Sequence, residues 1–377
     1  MDSTKTFRQP NVFINETSGR IGFPSSSPNR VYDAPTDRLR VQLTASGELN
    51  AEAYRLLLQS AMAPIATELL RVETVLKSEL QTGNSSIREM LDYVGELGGK
   101  RLRPCLLLLA AKACGEPTEE SVRLSVVVEM VHTATLVHDD VLDKALVRRH
   151  RQTVHERWDV PTSILIGDWL FAHAYGLANR GSSTIPGRWI ADAAKQVCEG
   201  EILQGQSIRH FEIGIEEYIQ LLEAKTGALC AVSCSLGAWS GGGDETACHR
   251  LQRFGLKLGT AFQVYDDWLD VWGNQDHAGK TLGTDLGSFK PTLPALRALN
   301  SMANEDRLRL VTSLNQGNED ALVELQQAIA ASDASNFTLA YAKRLIAEAM
   351  EQLDALPESE AAVSLRQLAL ASVSRKG

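Results

Sequence analysis

Residues 132–150 read HTATLVHDDVLDKALVRRH, and the apolar run LSVVVEMV leads into them. Within the stretch, Asp139, Asp140 and Asp143 are followed by Arg148 and Arg149. In a helix each residue turns about 100°. His132, Asp139 and Asp143 then share one stripe, with Asp140 just beside it. Three carboxylates at the end of a buried helix repel one another and lose hydration. Arginines or divalent cations are the natural compensation. Alone, the cluster reads equally well as a solvated acidic helix end. A second copy changes that balance. Residues 262–270 read FQVYDDWLD, placing Asp266, Asp267 and Asp270 at the same spacing on another apolar helix, with Gln263 one turn earlier. Two facing acidic clusters can hold Mg²⁺, which takes one or two carboxylates and leaves its other positions to water and substrate phosphate.

The cationic residues gather in a few short stretches. GGKRLRP (98–104) sets Lys100, Arg101 and Arg103 after a glycine pair that lets the backbone turn sharply. Arginine grips phosphate with two parallel bonds, and lysine adds a point charge. The GxxxxGK[ST] pattern of a P-loop is missing. Lys225 and Thr226 interrupt the apolar face of YIQLLEAKTGALCAVSCSL, where a lysine snorkelling at a helix seam is the blander reading. Lys280 and Lys290 lie with Asp285 in the long Gly-rich loop NQDHAGKTLGTDLGSFKP, which reads as a mobile lid. Two acidic clusters and two sets of cations, set among apolar helices, point to two diphosphate groups and a hydrocarbon body.

Bulk properties narrow the class. The chain has 377 residues, 44% hydrophobic and 23% charged, as soluble globular proteins do. Its net charge of −9 argues against nucleic-acid binding, so a polyanionic substrate needs local cations. No run approaches the ~18 apolar residues of a transmembrane helix, and no signal peptide is visible, so a cytoplasmic location is expected. Cys105, Cys114, Cys198, Cys230, Cys234 and Cys248 lack zinc-like spacing and read mostly as buried free thiols. Residues 1–44, rich in Ser, Pro, Asn and Arg, read as a disordered or loosely attached tail. Residues 45–377 read as one all-α domain with its site among the helices. Apolar spacings of three and four recur along it, as in residues 51–80. SSIREMLDYVGELGG (85–99) looks capped by Ser85 or Ser86 and stopped by Gly98 and Gly99.

With these motifs in hand, the chain resembles the trans-isoprenyl diphosphate synthases, or polyprenyl synthetases. GGKRLRP, HDDVLD with its two arginines, GDWL, EGE with Gln204, AKT, FQVYDDWLD and GKTLGTDL follow the family's order from about residue 55 to the C-terminus. The resemblance implies an all-helical bundle around a central cavity (the isoprenoid synthase fold), usually a homodimer. It implies Mg²⁺-dependent head-to-tail (1′-4) addition of isopentenyl diphosphate to an allylic diphosphate. Asp139, Asp140, Asp143, Asp266, Asp267 and Asp270 would bind three Mg²⁺, with Mn²⁺ as an alternative ion. Arg148, Lys225, Thr226, Gln263 and Lys280 would hold the allylic diphosphate. Lys100, Arg103, His132 and Arg149 would hold isopentenyl diphosphate. One departure is the lid sequence GSFKPTLP, where Ser288 and Phe289 stand before Lys290 in place of a common Gly-Lys.

Product length follows from the wall of the expected channel. Ala134 and Thr135 lie one turn below Asp139, and both are small. By resemblance, small residues there and a short DDxxD spacing favour a medium- or long-chain product of roughly six to ten units, about octaprenyl, on channel geometry. A geranylgeranyl or farnesyl diphosphate synthase shares the chemistry and remains the alternative. A cyclising terpene synthase is disfavoured by the second DDxxD and by GGKRLRP. A non-catalytic regulatory subunit is disfavoured because both acidic motifs are intact. A di-iron bundle would need ExxH pairs on facing helices near the clusters.

Overall fold

The computed structural model describes residues 51–97, 99, 101–273 and 283–374. The expected tail (1–44), Lys100, Lys280 and much of the Gly-rich loop lie outside the described residues. What is described is almost entirely helical, as expected. The helices are α1 (Ala51–Met62), α2 (Ala66–Glu79), α3 (Ser85–Glu96), α4 (Leu102–Cys114), α5 (Glu119–Leu142), α6 (Val154–Arg157), α7 (Val160–Ala178), α8 (Ile185–Ser207) and α9 (Ile215–Leu222). They continue with α10 (Ala228–Ser240), α11 (Glu245–Trp272), α12 (Thr284–Gly287), α13 (Leu293–Asn300), α14 (Asn304–Asn315), α15 (Glu319–Ala331), α16 (Ala334–Leu353) and α17 (Glu360–Ser372).

Helices α4, α5 and α10 are the innermost, and their sequences say why. The stretch Cys105–Ala111 of α4 and the stretch Ala228–Ala238 of α10 are buried without a break. A helix apolar all round belongs in a core rather than at its surface. α5 is started by a capping box between Thr118 and Ser121, with Glu119 and Glu120 complementing the first-turn dipole. It packs on α7, α4 and α2, while α10 packs on α4 and α11. The long α11 lies against α16, and α17 covers α4 and α1. A second, smaller apolar cluster, which includes Phe211, Phe289, Leu299 and Leu314, joins the chain after α8 to α13–α15.

Two local features differ from the sequence reading. The cap of α3 is Asn84, whose side chain accepts from the amides of Ser86 and Ile87, rather than Ser85 or Ser86. Asparagine one position upstream offers the same short acceptor, so the boundary moves by one residue. A miniature antiparallel hairpin was also not anticipated: β1 (Val147–Arg148) pairs with β2 (Arg151–Gln152). Its two loop residues, Arg149 (φ 52°) and His150 (φ 63°), both take the left-handed φ of a type I′ turn. Neither is Gly or Asn, the residues that usually announce such a turn.

Candidate active site

The C-terminal end of α5, the hairpin, α8, the start of α10 and the end of α11 carry the expected groups. Asp139 and Asp143 face outward from α5, with Asp139 half-buried and Asp143 exposed, while Asp140 is buried. Arg148 reaches Asp140 Oδ1 with Nε (2.8 Å) and Nη2 (2.7 Å), and Asp140 Oδ2 is buried without a partner. On α11 the pattern repeats. Asp266 is half-buried, whereas Asp267 accepts from the Tyr218 hydroxyl (2.5 Å) and the Leu293 amide (3.3 Å). The buried Asp270 accepts from the Asp285 amide at 3.4 Å. Of the six aspartates, Asp140, Asp267 and Asp270 are buried and bonded to neighbouring groups, Asp143 is exposed and ion-paired with Lys290, and Asp139 and Asp266 are half-buried.

Lys290 joins the two clusters. Its ammonium lies 2.8 Å from Asp143 Oδ1, and its amide donates to the carbonyl of Asp285, whose own amide contacts Asp270. Although burial works against its charge, Asp143 raises the pKa of Lys290. The residue before it, Phe289, is buried in a left-handed conformation (φ 54°). The Arg209 amide donates to the Phe289 carbonyl, and its guanidinium lies 5.3 Å from the centre of the Phe289 ring. The departure from the family's lid pattern is thus anchored rather than loose.

Lys225 and Thr226 sit in a π-helical turn, Glu223–Gly227, inserted between α9 and α10. Such turns re-aim side chains and recur at functional sites. Gly200 on α8 makes this possible, because a Cβ there would come within 2.6 Å of the Lys225 amide nitrogen. Lys225 Nζ lies 2.7 Å from Glu201 Oε1 and 2.6 Å from Gln204 Oε1. Thr226 Oγ1 donates to Gln263 Oε1 at 3.4 Å, linking the turn to α11. Glu201 and Gln204 were noticed in the sequence only as part of the family pattern. Their acceptor roles toward Lys225 come from the fold.

A second group of cations gathers around the start of α4 and the hairpin. Arg101, Glu129, His132, Asp140, Arg148 and Arg149 border the mouth of a cleft among α2, α3, α5 and α7. Burial and the charges of Arg103, Arg149, Arg148 and Arg101 push the His132 pKa well below its ordinary value. The imidazole is therefore neutral at working pH, and four cations mark its surroundings as anion-seeking. Arg149 donates to the Leu97 carbonyl at 2.7 Å. Arg103 has a buried Nε with no partner, a donor left for a ligand. Four non-glycine residues near this mouth, Arg101, Lys144, Arg149 and His150, have positive φ. Strain of this kind persists where function over-determines the backbone.

The donor set fits a hard divalent cation. Asp140 Oδ2 is an orphaned buried oxygen. Burial, then Glu201 and Asp143, push the Asp139 carboxyl up to about 7, with Lys225 opposing them. Burial also pushes Asp267 up to about 7, despite the hydrogen bond from Tyr218. Among the described residues no three His, Cys, Asp or Glu side chains converge to cage an ion. A testable consequence follows for stability. Unfolded, Asp139 titrates near 3.8; folded, near 7. Between those values the folded chain holds the extra proton, so ligand-free stability falls as pH rises through 7. Mg²⁺ is expected to raise Tm more at pH 8 than at pH 6, as differential scanning fluorimetry will show. Equal shifts at both pH values would contradict the carboxylate assignment.

Of the two expected channel residues, Ala134 is fully buried, whereas Thr135 is half-buried. By helical geometry Thr135 lies about 40° round α5 from Asp139, and Ala134 about 140°. Cys105, Cys230, Cys234 and Cys248 are buried free thiols, but Cys198 is exposed.

Comparison with known proteins agrees with this site. The polyprenyl synthetase family pattern matches residues 84–331. The chain is 33% identical over 316 residues to a Rhodobacter capsulatus all-trans-nonaprenyl-diphosphate synthase (geranyl-diphosphate specific), covering 83% of this chain and 97% of that one. It is 32% identical over 311 residues to an Escherichia coli octaprenyl diphosphate synthase, covering 81% and 96%. A solved structure of a Caulobacter crescentus polyprenyl synthase, complexed with calcium and isoprenyl diphosphate, superposes with a TM-score of 0.79 at 30% identity, covering 85% of this chain and 98% of that one. The chain is a prenyl-transferring enzyme with the fold of its relatives. The chain belongs to the polyprenyl synthetase family.

Proposed function

We propose that this enzyme adds isopentenyl diphosphate repeatedly, head to tail, to an allylic diphosphate, giving an all-trans polyprenyl diphosphate of medium to long chain, about octaprenyl. One observation carries the reading: Lys290 links the two aspartate clusters, its ammonium on Asp143 and its amide on the carbonyl of Asp285, whose own amide meets Asp270.

In this reading Asp139, Asp140, Asp143, Asp266, Asp267 and Asp270 would hold Mg²⁺, or Mn²⁺, while Asp140, Asp267 and Asp270 also keep Arg148, Tyr218 and the Asp285 segment in place. When bound, the metal supplies positive charge that stabilises the departing diphosphate. Arg148, Lys225, Thr226 and Gln263, with Lys280, hold the allylic diphosphate. Arg148, Lys225 and Thr226 are each held by protein partners, and groups placed before the reaction starts stabilise developing charge most effectively. Lys100, Arg103, His132 and Arg149 hold isopentenyl diphosphate. The neutral His132 ring donates one hydrogen bond and adds no charge. As the allylic C–O bond breaks, the alkene π electrons of isopentenyl diphosphate form the new C–C bond. The proton then lost passes to the departing diphosphate, since among the described residues of the motifs none stands out as a dedicated base. Apolar walls keep water from the cation.

Incubation with labelled isopentenyl diphosphate, Mg²⁺ and allylic primers of increasing length tests the proposal, with the dephosphorylated product sized by chromatography. A ladder ending near eight units supports it. No incorporation, or a stop after one condensation, sinks it.

Thr135 is the better placed residue for setting product length, because it shares an edge of α5 with Asp139. Thr135→Tyr is expected to shorten the products. Ala134→Tyr is expected instead to lower stability by overpacking the core, typically by about 1–3 kcal/mol, read as a fall in Tm. Unchanged products from Thr135→Tyr would place the channel elsewhere.

A homodimer is the proposed assembly. Exposed Ile164 and Leu165 on α7, with Ile202 and Leu203 on α8, offer apolar side chains for it. Among the described residues no helix is long and apolar enough to cross a membrane, and a cytoplasmic location is proposed with it.

A further inference from the structure

Four acidic residues are buried among the described residues. Asp140, Asp267 and Asp270 belong to the two aspartate motifs. The fourth, Glu129, belongs to neither. It is 3% exposed, stands one turn before His132 on α5, and borders the mouth of the isopentenyl cleft. A buried carboxylate beside a diphosphate site is unfavourable twice over. It has lost its hydration, and it repels the ligand.

Its contacts indicate what offsets this. Glu129 Oε1 accepts from Arg101 Nη1 at 2.6 Å. Arg101 Nε and Nη2 are taken up by Glu73 at 2.5 and 3.2 Å. The Arg101 guanidinium is therefore held by two carboxylates and turned away from phosphate. Its backbone is left-handed (φ 50°) at the N-cap of α4, a conformation that a β-carbon disfavours. On the other side, a Cβ built on Gly99 would lie 3.3 Å from both terminal nitrogens of Arg149 and 3.6 Å from Glu129 Oε1. Glu129, Arg101, Gly99 and Arg149 thus form one contact group, with Gly99 and Arg101 flanking Lys100.

We propose that Glu129 is a positioning residue for isopentenyl diphosphate: by clamping Arg101 it fixes the turn before α4 and the stance of Arg149 against it. The inference rests on the proposed assignment of Lys100, Arg103, His132 and Arg149 to that substrate.

The test exploits opposite signs. If Glu129 acted only as a charge, Glu129→Gln would remove a repulsive neighbour and lower KM for isopentenyl diphosphate. If it positions, the same change raises that KM, by about 10-fold or more on the scale of supporting-residue losses. KM for the allylic substrate should stay within about 2-fold, since that substrate is held elsewhere. Arg101→Lys keeps the charge but cannot grip both carboxylates, so it should raise the same KM. It also carries the test should Glu129→Gln not fold. An unchanged or lowered KM for isopentenyl diphosphate, or an equal rise for both substrates with a fall in Tm, overturns the proposal. Arg149→Met separates the two levels. If it raises that KM while Glu129→Gln does not, only the positioning role fails. If it leaves the KM unchanged, the site assignment fails and the positioning role falls with it.

Discussion

Asp139→Ala is expected to lower kcat about 10³-fold, some 4 kcal/mol of transition-state stabilisation, while leaving the fold intact. Both halves come from the same geometry. Asp139 is a half-buried carboxylate beside Glu201 and Asp143, and burial with these neighbours pushes its pKa up to about 7. Above that pH the folded chain keeps an ill-hydrated charge among like charges. Removing it relieves repulsion, so Tm without metal should hold or rise at pH 8. Turnover should collapse, because in the proposed function this carboxylate holds the cation against the leaving diphosphate. Steady-state kinetics and a thermal melt check the two halves separately. Near-normal turnover would contradict the metal assignment, and a large fall in Tm would recast Asp139 as a structural residue.

Lys225→Met is expected to cost about 10²–10³-fold in kcat, the scale of losing one pre-aimed donor. Unlike Asp139→Ala it should also destabilise. Lys225 is the cation between Glu201 and Gln204, and both it and Glu201 are about four-fifths buried, at 20% and 19% side-chain exposure. Removing it leaves Glu201 without its cation and Asp139 with Arg148 as its remaining positive neighbour. A loss of roughly 2 kcal/mol follows, less than for a fully buried pair. Lys225→Arg tests geometry against charge. It restores the charge, but a planar guanidinium cannot reproduce the point contacts of the ammonium with Glu201 and Gln204, so kcat should recover only in part. Full recovery would mean that charge alone matters there.

The helical architecture was legible because unbroken apolar runs such as Cys105–Ala111 admit few alternatives, and turn residues punctuate them. The two aspartate motifs were legible because helical spacing puts acids on one stripe. What spacing left unresolved was their division of labour. Asp139 and Asp140 are one residue apart, yet only Asp140 turns inward to meet Arg148, whose place depends on the hairpin. The hairpin itself was hidden, since its strands have two residues each and its turn is Arg-His. The π turn at Glu223–Gly227 leaves no composition signal beyond a lysine and a threonine in an apolar face. Glu129 read as a single polar interruption in LSVVVEMV, and its pairing with Arg101 spans 28 residues. Ala134 and Thr135 looked equivalent in sequence, and burial separates them.

Mn²⁺ binding followed by electron paramagnetic resonance, with and without inorganic pyrophosphate, tests most directly the claim that both clusters grip one metal-bound diphosphate. Tight binding is predicted only when pyrophosphate is present, and it should be lost both in Asp139→Ala and in Asp266→Ala, although these residues sit on different helices. Wild-type Mn²⁺ stoichiometry in either variant, or tight binding that ignores pyrophosphate, would contradict it.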